Sequence, residues 1–363
     1  MKAKRAVRIF VFGLFFTSLL LVSIIFYLEL SGKLRDRSAY IVLPNEGGYV
    51  ESWAPYLSQL ARALDVSDLS IKTYTTNADL HDYIKKADAL NILWIEVPLS
   101  SDFPIADIIE TDLLTPLYNP QKVLESTPTV IQKTFFSTYP SSENTYVLPF
   151  TMNPLVQIYK NSETEDGEKN TLLIPLQKEE DRKNFISFCR TTFYPYLSSM
   201  EEENLLSTLP SLLAYLRIDK TSINYQKSEI IPYFFKNSKK NVLINASDLA
   251  SFSVEQRLAV SIASLGKTIS SDFSYLVFPQ RTSDLHNEKI RSAQDYLLIP
   301  EVAFNIASKR NHLPVNIESI SKNVFNDFIK KQIRQAENCF VPALEADIEN
   351  NELFLKSIKI LFQ

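Results

Sequence analysis

Hydrophobic and polar positions divide the chain sharply near residue 37. Ile9 to Leu30 is a run of 22 residues with one charge, Glu29. As a helix it spans about 33 Å, enough to cross the hydrocarbon core of a bilayer. Beyond residue 37 the apolar blocks are short and alternate with helical spacings. Tyr40 to Leu43 predicts a buried strand, and Pro44 to Gly48 a turn. Trp53, Leu57, Leu60 and Leu64 share one helical face, which predicts a helix from Val50 to Leu64. Leu69 to Tyr74 reads as a strand, Asn77 caps a helix reaching Lys86, and Leu90 to Val97 is a third strand. Strands alternating with helices predict a parallel α/β sheet.

The second half continues less regularly. Ile105 to Ile109 predicts a short helix and Leu113 to Leu117 a turn. Tyr146 to Phe150 and Leu155 to Tyr159 read as two strands bent at Asn153-Pro154. The polar stretch Ser162 to Asn170 is loop-like and suits a crossing between two units. Residues 179–216 read as mostly helical, Asn241 to Asn245 as a strand, Val254 to Leu265 as a helix and Phe273 to Phe278 as a strand. Helices are expected at 286–310, 318–336 and 348–362.

Charge orients the first segment. Lys2, Lys4, Arg5 and Arg8 precede the apolar run, so that end stays in the cytoplasm and the bulk is exported. A cleaved signal peptide is the rival reading, but its apolar stretch is usually shorter and ends in small residues. Phe26, Tyr27, Leu28 and Glu29 stand there instead, and no Cys follows the run to carry a lipid. Residues 1–37 are therefore expected to be a membrane anchor or signal, the anchor favoured. The expectation is a single-pass protein of the cell membrane with its C-terminal bulk extracytoplasmic.

Composition then narrows the chemistry. Residues 1–37 hold seven basic and two acidic side chains, which leaves 31 basic and 40 acidic in residues 38–363, a net of −9. An acidic exported unit is a poor partner for nucleic acid. Only six glycines occur, and no Walker A, GxGxxG or GxSxG pattern is present. His81, His286 and His312 lie far apart in sequence and read as surface histidines rather than metal ligands. Neither a cofactor, a metal nor a catalytic residue is expected, and the chain does not read as an enzyme. Cys189 and Cys339 are the only cysteines; they either pair in an oxidising compartment or remain separate thiols.

Several segments, in order, resemble the bacterial extracellular solute-binding protein family of ABC transporters that includes maltose-binding proteins. They are "ALNILWIEVPLSSDFPIADIIETDLLTPL", "TYVLPFTMNPLVQIYKNS", "KNVLINASDLASF", "FSYLVFPQ", "AQDYLLIPEVAFNIASKRNHLPVN" and the final "ENCFVPALEADIENNELFLKSIKILF". The resemblance implies an α/β, periplasmic-binding-protein-like fold with two lobes, a hinge and an interlobe cleft. Lobe one would comprise 38–158 and 276–322, and lobe two 159–275 and 323–363. Region 246–275 is shorter than the family's pattern and reads as lacking one strand, which implies a reduced second lobe. Both cysteines fall in lobe two by this resemblance, so a bond between them would tie that lobe to its C-terminal return.

The resemblance also implies a ligand-binding cleft and partners. Asn45 and Glu46 follow the first strand, and Glu96 ends the third, where ligands meet open α/β sheets. Glu96 is a carboxylate inside an apolar strand and needs a partner. Trp53 opens a helix beside the first turn, where an aromatic face can stack on a sugar; Trp94 lies within a strand and reads as core. Thr151 and Asn153 match the segment at the cleft floor. Ser247 and Asp248 follow the second-lobe strand, although Asp248 also suits a helix cap. The expected partners are a small polar solute, favouring a sugar, and the subunits of an ABC permease. The alternative is an anchored protein that has kept the fold, lost transport binding and serves envelope interaction or sensing.

Overall fold

The computed structural model describes residues 17–23, 38–100, 102–103, 105–109, 113–136, 145–161, 170–193, 211, 214–219, 221–263, 267–280, 284–320 and 324–341. Residues 17–23 are helical and exposed. The rest of the expected membrane segment lies outside the described residues, as does the helix expected at 348–362. Among the described residues no helix is long and apolar enough to cross a membrane.

Among the described residues ten strands build one mixed sheet: β1 (Ser38–Pro44), β2 (Asp68–Tyr74), β3 (Ile92–Pro98), β4 (Val147–Lys160), β5 (Thr171–Leu173), β6 (Lys240–Asn245), β7 (Val260–Ala263), β8 (Thr268–Val277), β9 (Leu313–Pro314) and β10 (Asn338–Phe340). The main order is β2-β1-β3-β8-β4-β6-β5. The first three strands pair in parallel, as the alternation of strands and helices predicts. β8 then runs antiparallel to both β3 and β4, so the sheet is mixed rather than parallel throughout. The six residues Ile92–Val97 of β3 are buried, which fits a strand covered by helices on both faces.

β4 is the strand that spans the molecule. Val147 to Pro154 pairs with β8, while Leu155 to Lys160 pairs with β6 and β7. The two strands expected around Asn153-Pro154 are therefore one strand of 14 residues. Pro154, which has no N–H to give a ladder, stands where β4 changes partners. The backbone passes from one half of the sheet to the other there. The crossing expected at Ser162–Asn170 falls outside the described residues except for Asn170.

Other boundaries differ for local reasons. The helix predicted from Val50 to Leu64 is Tyr49–Trp53, a 3₁₀ turn with Pro55 near its start, and Leu57–Ala63. Thr76, not Asn77, caps the helix Asn77–Lys85, because its hydroxyl accepts from the Asp79 N–H in a capping box. The helix expected at Val254–Leu265 stops at Leu258, and the chain turns into β7, which pairs with β4. The region 246–275, which reads from sequence as short of one strand, thus holds β7. The helix expected at 286–310 is two, Asp284–Leu297 and Pro300–Lys309, divided ahead of Pro300. The helix expected at 318–336 covers Val324–Gln335.

Three apolar clusters hold these elements. One packs helices 57–63, 284–297 and 300–309 against β1, β3 and β8, with Trp53, Trp94 and Phe150 at its centre. A second runs along the opposite face of the sheet and through β6 and β7. A smaller third cluster joins Phe185 and Phe188 of helix Glu179–Phe193 to β5 and β6. Cys339 on β10 is partly buried, and its thiol meets Thr134. Burial pushes that thiol up to about 12. The Cys189 side chain, needed for the expected bond, lies outside the described residues.

Candidate functional site

The site is built from the C-terminal ends of β1 and β3. β1 is followed by Gly47 and Gly48 at φ of 64° and 73°, a left-handed pair that glycine adopts without strain. A Cβ on Gly47 would come within 3.2 Å of the Tyr49 ring. This turn leaves Glu46 exposed and sets the Tyr49 ring 4.0 Å from the Arg310 guanidinium. β3 is followed by a tight return. Leu99 N–H donates to the Phe273 carbonyl at 2.9 Å, and Ser100 bridges to Phe103.

Beneath these turns lies a buried polar network centred on Glu96. Its Oε1 accepts from Ser274 Oγ at 2.6 Å and Arg310 Nη2 at 2.7 Å, and its Oε2 accepts from Trp53 Nε1 at 2.5 Å. Arg310 Nη2 also donates to Thr151 Oγ1 at 3.0 Å, and the Thr151 and Ser274 hydroxyls lie 2.7 Å apart. Tyr74 OH donates to the Glu96 carbonyl at 2.9 Å. The carboxylate thereby ties together helix Tyr49–Trp53, β8 and the end of helix Pro300–Lys309, while β4 joins through Thr151 and β2 through the Glu96 main-chain carbonyl. Buried charge is tolerated in such a place because it is paired and hydrogen-bonded.

Above the network opens a cavity of about 520 Å³. Glu46, Tyr49, Pro98 to Ser100, Asp102 and Phe103 form one wall. Glu180, Lys183 and Asn184 of helix Glu179–Phe193 form the facing wall, with Asp272, Phe273 and His312 between. Asn184 is 6% exposed; its Nδ2 donates to Asn245 Oδ1 at 3.0 Å, and its Oδ1 has no partner. His312 follows Asn311, whose φ of 58° turns the chain back after the helix. Burial, together with the nearby Arg310 charge, holds the imidazole down to about 3. It is partly buried at the cavity, not the surface histidine read from sequence. Burial raises the Tyr49 hydroxyl above its ordinary range.

Of the eight residues expected at a cleft, Glu46 lines this cavity. Trp53 does not: it is fully buried, stacked on Phe150 with ring centres 5.4 Å apart, and its indole N–H is spent on Glu96. Glu96 and Thr151 are likewise sealed, and they support the cavity from below. Asn45 is exposed beyond β1 and is not part of the lining. Asn153 Oδ1 accepts the Ser247 N–H at 3.1 Å, which fastens β4 to the turn after β6. Asp248 accepts the Asn245 N–H at 2.9 Å as the capping partner of its own short helix, and it pairs with Lys227 at 2.8 Å. These local tasks explain Asn153, Ser247 and Asp248 without a ligand. Sequence reading missed Tyr49, Asp102, Asn184, Asp272 and Arg310. Asn184 carries no local signal, because only the tertiary fold brings it opposite the turn after β3.

No family model matches the chain, and no curated protein matches it in sequence. Solved structures do match in shape. The bacterial solute receptor AcbH superposes with a TM-score of 0.63 at 12% identity, covering 90% of this chain and 95% of that one. The fold is that of bacterial solute-binding proteins. PotD of Streptococcus pneumoniae, a spermidine/putrescine ABC transporter substrate-binding protein, shares it with a TM-score of 0.60 at 15% identity over 90% and 100% of the chains. So does an enzyme, Clostridium botulinum thiaminase I, with a TM-score of 0.59 at 11% identity over 90% and 100%.

Proposed function

We propose that this chain is the extracytoplasmic solute-binding component of an ABC importer, held at the cell membrane by residues 9–30. It captures a small polar solute and presents it to a permease; the reading gives the cavity no chemistry to perform. One observation carries this reading. The cavity lies between elements of the two halves of the sheet that β4 joins, and its volume of about 520 Å³ suits a small solute. The unpartnered Asn184 Oδ1 at its edge gains a donor when a ligand enters. Closure around the ligand would be a hinge motion at β4 and β8, the strands crossing between the proposed lobes. A carbohydrate or similar polar molecule is the class expected from sequence. With Trp53 in the core, the aromatic surface left to stack on a sugar is Tyr49, Phe103 and Phe273.

A thermal-shift screen of the full-length chain in detergent against sugars, oligosaccharides, amino acids and polyamines tests the proposal. A ligand at 100 times its dissociation constant adds about 2.7 kcal/mol of stability. Hits should be recovered unchanged after incubation. A screen with no hit in any class rejects solute binding and favours the interaction or sensing reading. Conversion of a hit to product makes the chain an enzyme on this fold, as thiaminase I is.

A further inference from the structure

We infer that the solute is an organic polycation, an aliphatic di- or polyamine, held along the cavity by dispersed carboxylates. The inference rests on the solute-binding reading above and narrows it.

The first observation is the charge of the lining. Glu46, Asp102, Glu180 and Asp272 face the cavity against a single basic side chain, Lys183. Among the described residues neither Glu46 nor Asp102 makes an ion pair, so their charges remain available to a ligand. His312 adds no positive charge near neutral pH, because burial keeps its imidazole unprotonated. A neutral sugar would leave the Glu46 and Asp102 charges without a counter-charge, and closure of the cavity over them would raise the repulsion.

The second observation is independent of charge. The Asn184 amide is 6% exposed and gives its N–H to Asn245 Oδ1, so the end that remains is a lone acceptor. A ligand rich in donors completes it, and an ammonium carries donors and no acceptor.

The distribution of the acids then decides between an ion and a chain. Among the described residues no three carboxylates, histidines or cysteines converge closely enough to hold a metal ion. The acids come from separate places: the end of β1, the turn after β3, β8 and the facing helix. Spaced carboxylates suit spaced ammonium groups, and Tyr49, Leu99, Phe103 and Phe273 provide apolar wall for the methylenes between them.

The test is calorimetric titration of the full-length chain in detergent with spermidine, with maltotriose as the uncharged comparison. Spermidine should bind, and its affinity should fall about tenfold or more from low to high salt, as screened charge pairs require. Glu46→Gln with Asp102→Asn should weaken it at least about tenfold; both sites are exposed, so the fold should be kept. Circular dichroism checks that. Asn184→Leu should weaken it separately, with the salt dependence retained. Maltotriose binding with no spermidine binding overturns the polyamine inference and leaves the solute-binding function intact. Spermidine binding that ignores the Glu46/Asp102 pair also overturns it, since the amine then sits elsewhere. Failure of both probes, followed by failure of the broad solute screen, removes the function together with its substrate class.

Discussion

Arg310 Nη2 meets Glu96 Oε1 at 2.7 Å, with the two side chains 1% and 0% exposed. The pair joins the end of β3 to the C-terminal end of helix Pro300–Lys309, far apart in sequence. Arg310→Met should leave the Glu96 carboxylate buried without its cation and cost about 3–5 kcal/mol. Adding Glu96→Gln should restore part of that loss, because the charge to be compensated is gone. Urea unfolding of the unmodified protein and the two variants measures it. A double variant no more stable than Arg310→Met would mean that the loss comes from packing rather than from charge.

Trp53→Phe separates the indole's two roles. A phenyl ring keeps the stack on Phe150, whose centre lies 5.4 Å away, but cannot donate to Glu96. The lost donor should cost about 1–3 kcal/mol in stability. Solute affinity should change little, since Trp53 is sealed below the cavity. A large affinity loss at unchanged stability would put the indole at the ligand after all.

Much of the architecture was legible because period and position agree. The apolar runs of β1 and β3 are strands on both counts, and the resemblance identified the fold through ordered segments rather than any one motif. The long β4 was not legible. Pro154 reads locally as a breaker, and only its place at the change of ladder partners makes it tolerable in a continuous strand. The short β7 was hidden for a similar reason: the helical spacing after Val254 is real for one turn, and then pairing with β4 overrides it. At the site, Glu96 in an apolar strand signals a carboxylate that needs a partner, but the partners it finds seal it below the cavity instead of leaving it to a ligand. Its partner Arg310 lies on a distant helix end, and no local pattern connects them. Asp248 was weighed as a cap, and local geometry uses it that way.

The membrane anchor is tested by topology. If residues 9–30 hold the chain with its N-terminus inside, protease added to intact cells should digest the C-terminal bulk. The outer envelope is opened first where there is one. A protected N-terminal fragment should stay with the membrane. Full protection of the bulk would reverse the topology and take the importer role with it.

The last prediction concerns pH, and its sign follows from His312. An exposed histidine titrates near 6.5, whereas burial and Arg310 hold this one to about 3 in the folded chain. Between those values the unfolded chain binds a proton that the folded chain does not. Stability then falls as pH falls. The loss from this group should begin as pH drops through about 6.5 and continue toward about 3; above 6.5 the group contributes no slope. Carboxylates add their own dependence at the acid end, so the comparison must be with a variant. His312→Gln keeps a polar side chain of similar reach and cannot take up the proton. It should flatten the stability profile between pH 6.5 and 5, where most carboxylates are still ionised. Chemical denaturation at half-unit steps across that range provides the measurement. Parallel profiles for the two proteins would show that His312 titrates normally in the fold. The cavity would then carry a histidine able to become cationic in mildly acid conditions, and polyamine affinity would weaken there.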